Sequence, residues 1–366
     1  MRTYISKKHH LLLGIICLCV FSSTFLNADI VFLSDRDGSV PTYECEVYTM
    51  TDFGGNVQRL TNDLLYKARP KWSPNGRKIV FAVEIVKPRQ NDWEQDQTVE
   101  LFIMDATGKN KRQLTDYKHL STHPTWSPNG RSIAFMSNHA GGPEIYKMDL
   151  SDGNIFQITN NVAEGGVMVQ APDWSPGGDK IVYARSMPRT GTEIYITDIS
   201  GRNNRPLVKA EKLLKEGVRI HTSPKWHPDN EHILYRNASL TMVQNGNIAV
   251  LEIVDHGALE IRKEFDAKPQ KLKLPNNLVF KTGCWAENGN AVIFYASLDD
   301  DPDANNDIYR YDMLTHNIRN LSNHPSKNYS PHWINPVYPV HTRDKLPVQW
   351  AQLKRGHHHR TAWQTQ

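Results

Sequence analysis

Short apolar runs, rich in β-branched and aromatic side chains, recur along almost the whole chain. One class has the form Ile-Val-Phe, as at Ile79–Phe81, and follows a turn such as Ser73–Gly76. Proline fixes φ in that turn, and asparagine or glycine tolerates positive φ. A second class has the form Ile-Tyr-x-Met-Asp, as at Ile145–Asp149, and a shorter third class has the form Gln-Leu-Thr, as at Gln113–Thr115. Runs of this length and composition between turn signals predict β-strands.

A Pro-x-Trp motif, with Gly283 replacing the proline once, repeats ahead of these runs and sets their phase. The tryptophans stand at intervals of 48 to 59 residues, at Trp72, Trp126, Trp174, Trp226, Trp285 and Trp333. Each motif marks strand A of a unit, and the three classes of run supply strands B, C and D. In the unit of Trp226 we assign strand C to Ile248–Leu251. Four strands in a repeat of this length are typical of a β-propeller blade.

The two ends of the repeat region complement each other. The first runs, Ile30–Phe32, Glu46–Met50 and Gln58–Thr61, supply strands B, C and D without a strand A. The last motif, Pro331–Trp333, is a strand A without the other three. The sequence therefore predicts an all-β, six-bladed propeller over residues 29–335. Its ring closes when the C-terminal strand A around Trp333 joins the N-terminal strands B, C and D, which leaves no open sheet edge.

The segments outside the repeats have the features of an export signal and of a tail. Residues 1–28 combine basic residues at Arg2, Lys7 and Lys8 with the apolar run Leu11–Leu26, and we expect cleavage after Ala28. The alternative is an uncleaved anchor. The signal predicts a periplasmic or secreted protein. Residues 336–366 form a basic C-terminal tail, for which we expect poor order.

Charge and cysteine content narrow the function classes. Without residues 1–28 the chain has 40 Lys and Arg against 39 Asp and Glu, so it lacks the basic surface typical of nucleic-acid binding. Cys45 and Cys284 are the cysteines that remain. The repeat puts them on non-adjacent strands of neighbouring blades, which favours two buried free thiols and leaves a disulfide as the alternative.

The repeat resembles that of a known family. Trp-Ser-Pro-Asn-Gly followed by Ile-Val-Phe, then Ile-Tyr-x-Met-Asp and Gln-Leu-Thr, is similar to the β-propeller repeat of the TolB family, as is the loop Ser34–Gly38. The resemblance covers about residues 30–333 and implies the fold. It says less about function, because one fold hosts many functions. TolB proteins also carry an N-terminal α/β domain, for which we find no room ahead of the first strand at Ile30.

One face of the predicted propeller has the features of a binding surface. The D–A and B–C loops share that face and vary in length, and variable loops on a rigid scaffold commonly carry binding sites. Residues that enter the A strands are expected to ring the axial mouth there. The predicted ligand-binding residues are Arg69, His123, Gln170, His221, Ser223, Thr282 and Ser330, with Trp93 as a contact anchor in a B–C loop.

Chemical motifs are sparse. The sequence has no Gly-x-Ser-x-Gly elbow, no His-Glu-x-x-His helix, no P-loop and no dinucleotide fingerprint. One acidic loop spaces oxygen ligands as calcium sites do, at Asp299, Asp301, Asp303, Asn305 and Asp307. Ala304 and Arg310 stand where an EF-hand-like loop has glycine and glutamate, so a solvated acidic loop is the alternative. We therefore predict no cofactor, with calcium at this loop as the alternative.

These observations favour a non-catalytic propeller of the periplasm or cell envelope, whose loop-rich face binds a peptide or protein. We expect a monomer, with no nucleic-acid partner and no stable membrane insertion after signal cleavage. The alternative is a propeller-type lyase or hydrolase that acts on carbohydrate, with the mouth histidines His123, His221 and His332 as base or metal ligands.

Overall fold

The computed structural model describes residues 29–37, 45–63, 65–85, 98–161, 166–187, 190–210, 218–245, 248–264, 269–275, 277–298 and 305–334. In chain order the strands are β1 (Ile30–Ser34), β2 (Glu46–Met50), β3 (Gln58–Arg59), β4 (Lys67–Trp72), β5 (Lys78–Ile85), β6 (Thr98–Asp105), β7 (Arg112–Gln113), β8 (Ser121–Trp126), β9 (Ser132–Ser137), β10 (Glu144–Asp149), β11 (Ile155–Gln157), β12 (Met168–Trp174), β13 (Lys180–Met187), β14 (Gly191–Asp198), β15 (Arg205–Val208), β16 (Val218–Trp226), β17 (His232–Asn245), β18 (Ile248–Lys263), β19 (Gln270–Lys271), β20 (Leu278–Ala286), β21 (Ala291–Leu298), β22 (Asn306–Asp312), β23 (Ile318–Asn320) and β24 (Asn328–Trp333). A short 3₁₀ helix, Glu287–Gly289, lies between β20 and β21.

The strands form six antiparallel blades. Blade 1 has the order β24-β1-β2-β3, and blades 2, 3 and 6 are β4–β7, β8–β11 and β20–β23. Blades 4 (β12–β15) and 5 (β16–β19) share one parallel bridge between Thr192 and Ile220. The innermost strands contact one another in a ring, β4-β8-β12-β16-β20-β24 and back to β4. The predicted six-bladed propeller is therefore the fold of the chain.

Blade 1 is built from both ends of the described chain. Ile30 pairs with Trp333 and Val31 with His332, while the other edge of β1 pairs with β2 from Ile30↔Met50 to Ser34↔Glu46. This pairing gives β1 hydrogen-bonded partners on both edges, so the first strand of the described chain is not a free edge. The backbone hydrogen bonds between β24 and β1 join the two ends of the described chain within one blade.

Blade 5 departs from the predicted strand assignment. Its B–C connection is a long hairpin, in which β17 and β18 pair from His232↔Lys263 to Asn245↔Ile248. Ile248–Leu251, predicted as strand C, forms the start of β18, and Leu259 and Ile261 farther along that strand are buried in the blade core. The apolar alternation at both places fits a strand equally well, and only the pairing register separates them.

Apolar clusters fill the spaces between neighbouring blades. Each of the six clusters combines residues of two adjacent blades and includes or contacts one tryptophan of the repeat. Trp126 is 8% exposed and packs with Val80 and Leu101 of blade 2 and with Phe135 of its own blade. Its indole N–H donates to the carbonyl of Lys71 at 3.2 Å, which links blade 3 to blade 2. The tryptophans therefore join blades to each other.

A repeated hydrogen bond fixes strand C to the end of strand D. In blade 2 the hydroxyl of Thr115 donates to the Glu100 carboxylate at 2.5 Å and accepts the N–H of Leu101 at 2.9 Å. The equivalent pairs are Glu46–Thr61 in blade 1, Glu144–Thr159 in blade 3 and Asp307–Ser322 in blade 6. In these four blades a carboxylate near the start of strand C thus holds strand C to the end of strand D.

Two further findings concern the chain as a whole. Cys45 and Cys284 are both buried free thiols, as the repeat position favoured. Burial raises the pKa of the Cys45 thiol to about 12 and also raises that of Cys284. Over the residues that the structure describes, no helix is long and apolar enough to cross a membrane. Residues 1–28, 335 and the tail 336–366 lie outside the described residues.

Candidate functional site: the axial chamber

Each innermost strand carries a β-bulge where it passes the propeller axis. The pairing register shifts once in every A–B strand pair. In five of the six bulges the residue before the motif's proline is left-handed, with φ between 50° and 56°: Arg69, His123, Ala171, Ser223 and Ser330. Helical backbone conformations are disfavoured for a residue before proline, so the surrounding sheet must hold this conformation. Bulges of this kind re-aim a side chain.

The bulged residues line a common cavity on the axis, which we call the axial chamber. Its cavity volume is about 30 Å³, which is room for about two waters or one small polar group. Apart from the Pro-x-Trp prolines and Gly283, its lining residues are Arg69, Lys71, His123, Ala171, Ser223, Lys225, Thr282 and Ser330. All six blades contribute, because each sends its strand A to the axis.

Three basic side chains, Arg69, Lys71 and Lys225, line the chamber. Within the described part of the chain, neither Arg69 nor Lys71 has a carboxylate within ion-pair distance. Burial lowers the pKa of Lys71 to about 7, and the nearby charge of Lys225 acts in the same direction. Burial also lowers the pKa of Arg69, although a guanidinium stays charged in proteins. The chamber therefore holds two basic groups, Arg69 and Lys71, that no described carboxylate contacts directly.

His123 adds a polar group that is almost wholly buried. The side chain belongs to a residue that is 9% exposed, and its Nδ1 has no hydrogen-bond partner among the described atoms. Burial lowers the pKa of His123 well below its usual value, and the charge of Arg69 lowers it further. The imidazole is thus neutral, and a buried polar atom without a partner is costly unless a ligand or water completes it.

Lys225 differs from the other cations because it has a partner. Its Nζ donates to Oδ1 of Asp173 at 3.0 Å, and the N–H of Trp226 donates to Oδ2 of the same carboxylate at 2.9 Å. Both side chains are mostly buried, with 11% and 17% exposed. This pair joins blade 4 to blade 5 next to the chamber. The Asp173 carboxylate is therefore occupied by Lys225 and by the N–H of Trp226.

Two further residues at the middle position of the motif have structural partners. The N–H of Trp72 donates to Nδ1 of His332 at 3.2 Å, and the N–H of Trp333 donates to Sγ of Cys284 at 3.3 Å. Burial lowers the pKa of His332 well below its usual value. His332 is therefore a neutral acceptor that ties blade 1 to blade 2.

The predicted mouth residues divide into two groups. Arg69, His123, Ser223, Thr282 and Ser330 line the chamber together. Gln170 and His221 do not line the chamber. In blade 4 the bulge places Ala171 at the axis in the place of Gln170, and in blade 5 it places Ser223 there in the place of His221. His221 is 3% exposed and packs edge-on against Tyr235, with ring centroids 5.6 Å apart. Trp93 lies outside the described residues.

The acidic loop and the histidine alternative are only partly described. Asp299, Asp301 and Asp303 lie outside the described residues, and Asn305 is exposed. Asp307 accepts hydrogen bonds from Ser322 and from Asn320, in the framework position shared by the other blades. The calcium site stays a prediction. A shared metal site needs three ligand atoms close together. Among the described residues, His123, His221 and His332 belong to no set of three candidate ligand atoms that lie within 4.8 Å of one another.

Sequence reasoning missed the lysines of the chamber. Lys71 and Lys225 occupy the middle position of Pro-x-Trp, two residues after Arg69 and Ser223. Residues two apart on a strand share a face. The two lysines could therefore have been predicted from the repeat, once Arg69 and Ser223 had been assigned to the mouth. The pairing of Asp173 with Lys225 was not readable, because it depends on how neighbouring blades approach each other.

Comparisons with known proteins agree with this architecture. The model of the TolB β-propeller domain matches residues 92–207. The Tol-Pal system protein TolB of Francisella tularensis subsp. mediasiatica (strain FSC147) is 29% identical, over 55% of this chain and 52% of that protein. The corresponding protein of F. tularensis subsp. tularensis (strain SCHU S4 / Schu 4) has the same identity and coverage. The chain thus spans about half the length of these relatives.

Solved structures give the same fold. TolB from Acinetobacter baumannii superposes with a TM-score of 0.61 at 17% identity, covering 83% of this chain and 66% of that one. A chain of the nidogen/laminin complex superposes with a TM-score of 0.56 at 9% identity, covering 84% of this chain and 99% of that one. These similarities concern the fold alone. Together with the repeat and the family model over residues 92–207, they show that the chain is a β-propeller similar to those of the TolB family.

Proposed function

We propose that this chain is a protein-binding propeller of the bacterial envelope, and that its axial chamber receives an acidic segment of the partner. The observation that carries the proposal is the charge of the chamber. Arg69 and Lys71 line it without a carboxylate partner among the described residues. A carboxylate supplied by a partner forms charge-assisted hydrogen bonds with such groups. It also raises the pKa of Lys71, because a nearby negative charge favours the ammonium form.

The neutral groups of the chamber support the same conclusion. The unpartnered Nδ1 of His123 and the hydroxyls of Ser223, Thr282 and Ser330 offer hydrogen bonds beside the cations. Their backbone is held by bulges of a continuous ring, so little ordering is needed on binding. A few convergent polar groups in a largely pre-formed cavity are typical of binding sites.

The relatives support an envelope role. The similar proteins of F. tularensis are named as proteins of the Tol-Pal system. Because this chain spans about half of their length, we propose only the general role for it: export to the periplasm and recognition of an envelope protein through the propeller. No described cluster of catalytic groups favours the lyase or hydrolase alternative over this role.

Cross-linked capture from an envelope extract tests the proposal. Wild-type protein and an Arg69→Ala/His123→Ala variant are used side by side, and captured proteins are quantified by mass spectrometry. We expect at least one envelope protein to be enriched by the wild type and to be lost with the variant, because the variant removes a cation and a buried polar group from the chamber.

A matched control separates the chamber from general surface charge. Arg131 and Lys147 line a groove on the A–B turn side of the propeller, away from the chamber. An Arg131→Ala/Lys147→Ala variant loses positive charge there and should capture the same partner as the wild type. Equal capture by the Arg69→Ala/His123→Ala variant would refute the chamber as the binding site.

A further inference from the structure

The A–B turn of blade 5 keeps the backbone of the other turns but changes their side chains. In blade 2 the N–H of Ser73 donates to the carbonyl of Lys78 at 2.8 Å, and Ser73 Oγ accepts the N–H of Lys78 at 2.9 Å. In blade 5 the same backbone bond runs from His227 to the carbonyl of His232 at 2.8 Å. Histidines thus replace the serine and the lysine, and an aspartate, Asp229, replaces the asparagine between them.

The three substituted side chains converge on one point. Oδ1 of Asp229 lies 3.0 Å from Nδ1 of His227, and Oδ2 lies 2.6 Å from Nδ1 of His232. The three candidate ligand atoms lie within 4.8 Å of one another. Backbone N–H groups of Glu231 and His232 donate to Oδ1 at 2.8 and 3.0 Å, which fixes the carboxylate in place.

Either protonation state of His227 Nδ1 satisfies one of its two contacts and leaves the other unfavourable. This atom lies 3.1 Å from the backbone nitrogen of Asp229, which is a donor, and 3.0 Å from the Asp229 carboxylate, which is an acceptor. A protonated Nδ1 faces another donor, and an unprotonated Nδ1 directs its lone pair at a carboxylate oxygen. A cation bound by both the Nδ1 lone pair and the carboxylate oxygen removes the repulsion between these two atoms.

Packing holds the rings in this arrangement. The side chain of His227 is 4% exposed and stands edge-on to Trp285 of blade 6, with ring centroids 4.5 Å apart. Gly289 leaves the space that the His227 ring fills, since a Cβ there would lie 1.8 Å from Nε2. The side chains of His232 and Asp229 are 16% and 17% exposed, so one side of the cluster faces solvent.

We propose that His227, Asp229 and His232 form a zinc site on the A–B turn face, opposite the loop-rich face. Two imidazoles and one carboxylate are an established ligand set for Zn²⁺, with water at the fourth position. Ligand atoms of a tetrahedral zinc site lie about 3.3 Å apart. The two histidines contact different oxygens of Asp229, at 3.0 and 2.6 Å, so small side-chain rotations are needed to bring the three ligands onto one ion. The site would tie the turn of blade 5 to blade 6 through His227 and Trp285.

Metal binding by the full chain tests the site, with Zn²⁺ and Co²⁺ as probes. All proteins carry His357→Ala, His358→Ala and His359→Ala, because the run of three histidines captures metal by itself. Equilibrium dialysis should give one tightly bound Zn²⁺ per chain, and Co²⁺ should give the intense visible bands of tetrahedral coordination. The His232→Gln variant should bind Zn²⁺ more than about tenfold more weakly, because it loses a ligand.

Two further variants keep the test decisive. His232→Lys copies Lys78 and Lys180, which occupy the same position of the turns in blades 2 and 4, so that substitution keeps a turn sequence that this chain already uses. It should also lose the metal. His316→Gln, at a histidine bound to Tyr311 in blade 6, should retain it. Unchanged Zn²⁺ affinity of both His232 variants, or cobalt bands of octahedral type, would overturn the proposal.

Discussion

The blade interfaces and the axial chamber are built from the same repeat. The residues that the repeat supplies are alike at the interfaces and different at the chamber. At the interfaces each blade supplies the same kind of residue, a tryptophan against apolar side chains, which is buried in blades 2 to 6 and partly buried in blade 1. The middle residue of the motif differs from blade to blade, and two of the six, Lys71 and Lys225, line the chamber. The six are Lys71, Thr125, Asp173, Lys225, Cys284 and His332. The constant positions stabilise the ring, and the variable ones give its centre a particular charge.

This contrast shows where function resides in a repeat protein. A fold-determining position must satisfy the same packing in every blade, so the repeat is regular there. A binding position must differ, because a ring of identical groups gives no direction to a ligand. Two departures from the repeat, the unpaired cations of the chamber and the histidines of one turn, carry the two proposals made above.

The largest effect is expected at a blade interface. Trp126→Ala should reduce the free energy of unfolding by about 3 to 5 kcal/mol, because it opens a cavity between blades 2 and 3. Urea unfolding followed by tryptophan fluorescence and circular dichroism measures the change. A loss below about 1 kcal/mol would mean that the interface relaxes around the smaller side chain and is not close-packed.

The next effect concerns the ion pair beside the chamber. Asp173→Asn should destabilise the fold by about 3 kcal/mol, because it leaves the mostly buried ammonium of Lys225 without its counter-charge. The double variant Asp173→Asn/Lys225→Met should recover most of that loss. If the double variant is no more stable than the single one, the carboxylate acts mainly through its hydrogen bond from the Trp226 N–H, and the charge pair matters little.

A pH-dependent effect is expected at Lys71. Its pKa is about 7 in the folded chain and about 10.4 in an unfolded chain. Between these values the unfolded state binds more protons, so the wild type should gain stability as pH rises, by up to about 1.4 kcal/mol per pH unit. Lys71→Met should lack this gain and should be more stable than the wild type below pH 7.

Unfolding curves at pH 7, 8 and 9 measure that difference. The advantage of Lys71→Met should shrink steadily across the series, since the ammonium form is what burial penalises. Lys109→Met, at an exposed position, is the control and should follow the wild type at each pH. A constant difference between Lys71→Met and the wild type would show that Lys71 keeps an ordinary pKa in the chamber.

The smallest effect is expected at the framework hydrogen bond. Thr115→Val removes the hydroxyl that joins the Glu100 carboxylate to the N–H of Leu101 and should cost about 1 to 2 kcal/mol. Stability measured beside Thr159→Val, the equivalent change in blade 3, should give similar values for both, because the repeat uses the same bond. Unequal losses would mean that the framework differs between blades.

The sequence determined the propeller well because its signals repeat in phase. Each Pro-x-Trp motif and its turn predicts one innermost strand, and the fragments at the two ends complete one blade. Strand C of blade 5 was placed at Ile248–Leu251, which is the start of the long strand β18, and the sequence did not show that the hairpin continues to Lys263. Only the pairing register shows that Glu260 and Ile261 pair with strand D.

The candidate site was predictable in position and less so in composition. Arg69, His123 and Ser330 were found because they precede the proline of each motif. Gln170 and His221 were misplaced relative to the chamber, because a bulge changes which residue faces the axis and a bulge leaves no clear mark in a single repeat. The histidine cluster of blade 5 was missed. His227 and His232 replace the serine and the lysine found in the turn of blade 2, and in the sequence they look like random departures from the turn motif.

The most direct test of the account compares binding with stability in one variant. Partner protein identified by capture is titrated into wild-type protein and into Arg69→Gln/Lys71→Met, and the unfolding free energy of both is measured under the same conditions. We expect the partner's affinity to fall more than about tenfold, since charge-assisted hydrogen bonds contribute about 1.5 to 3 kcal/mol each, while stability stays equal or rises. Unchanged affinity would contradict the claim that the variable positions of the axial chamber carry the function.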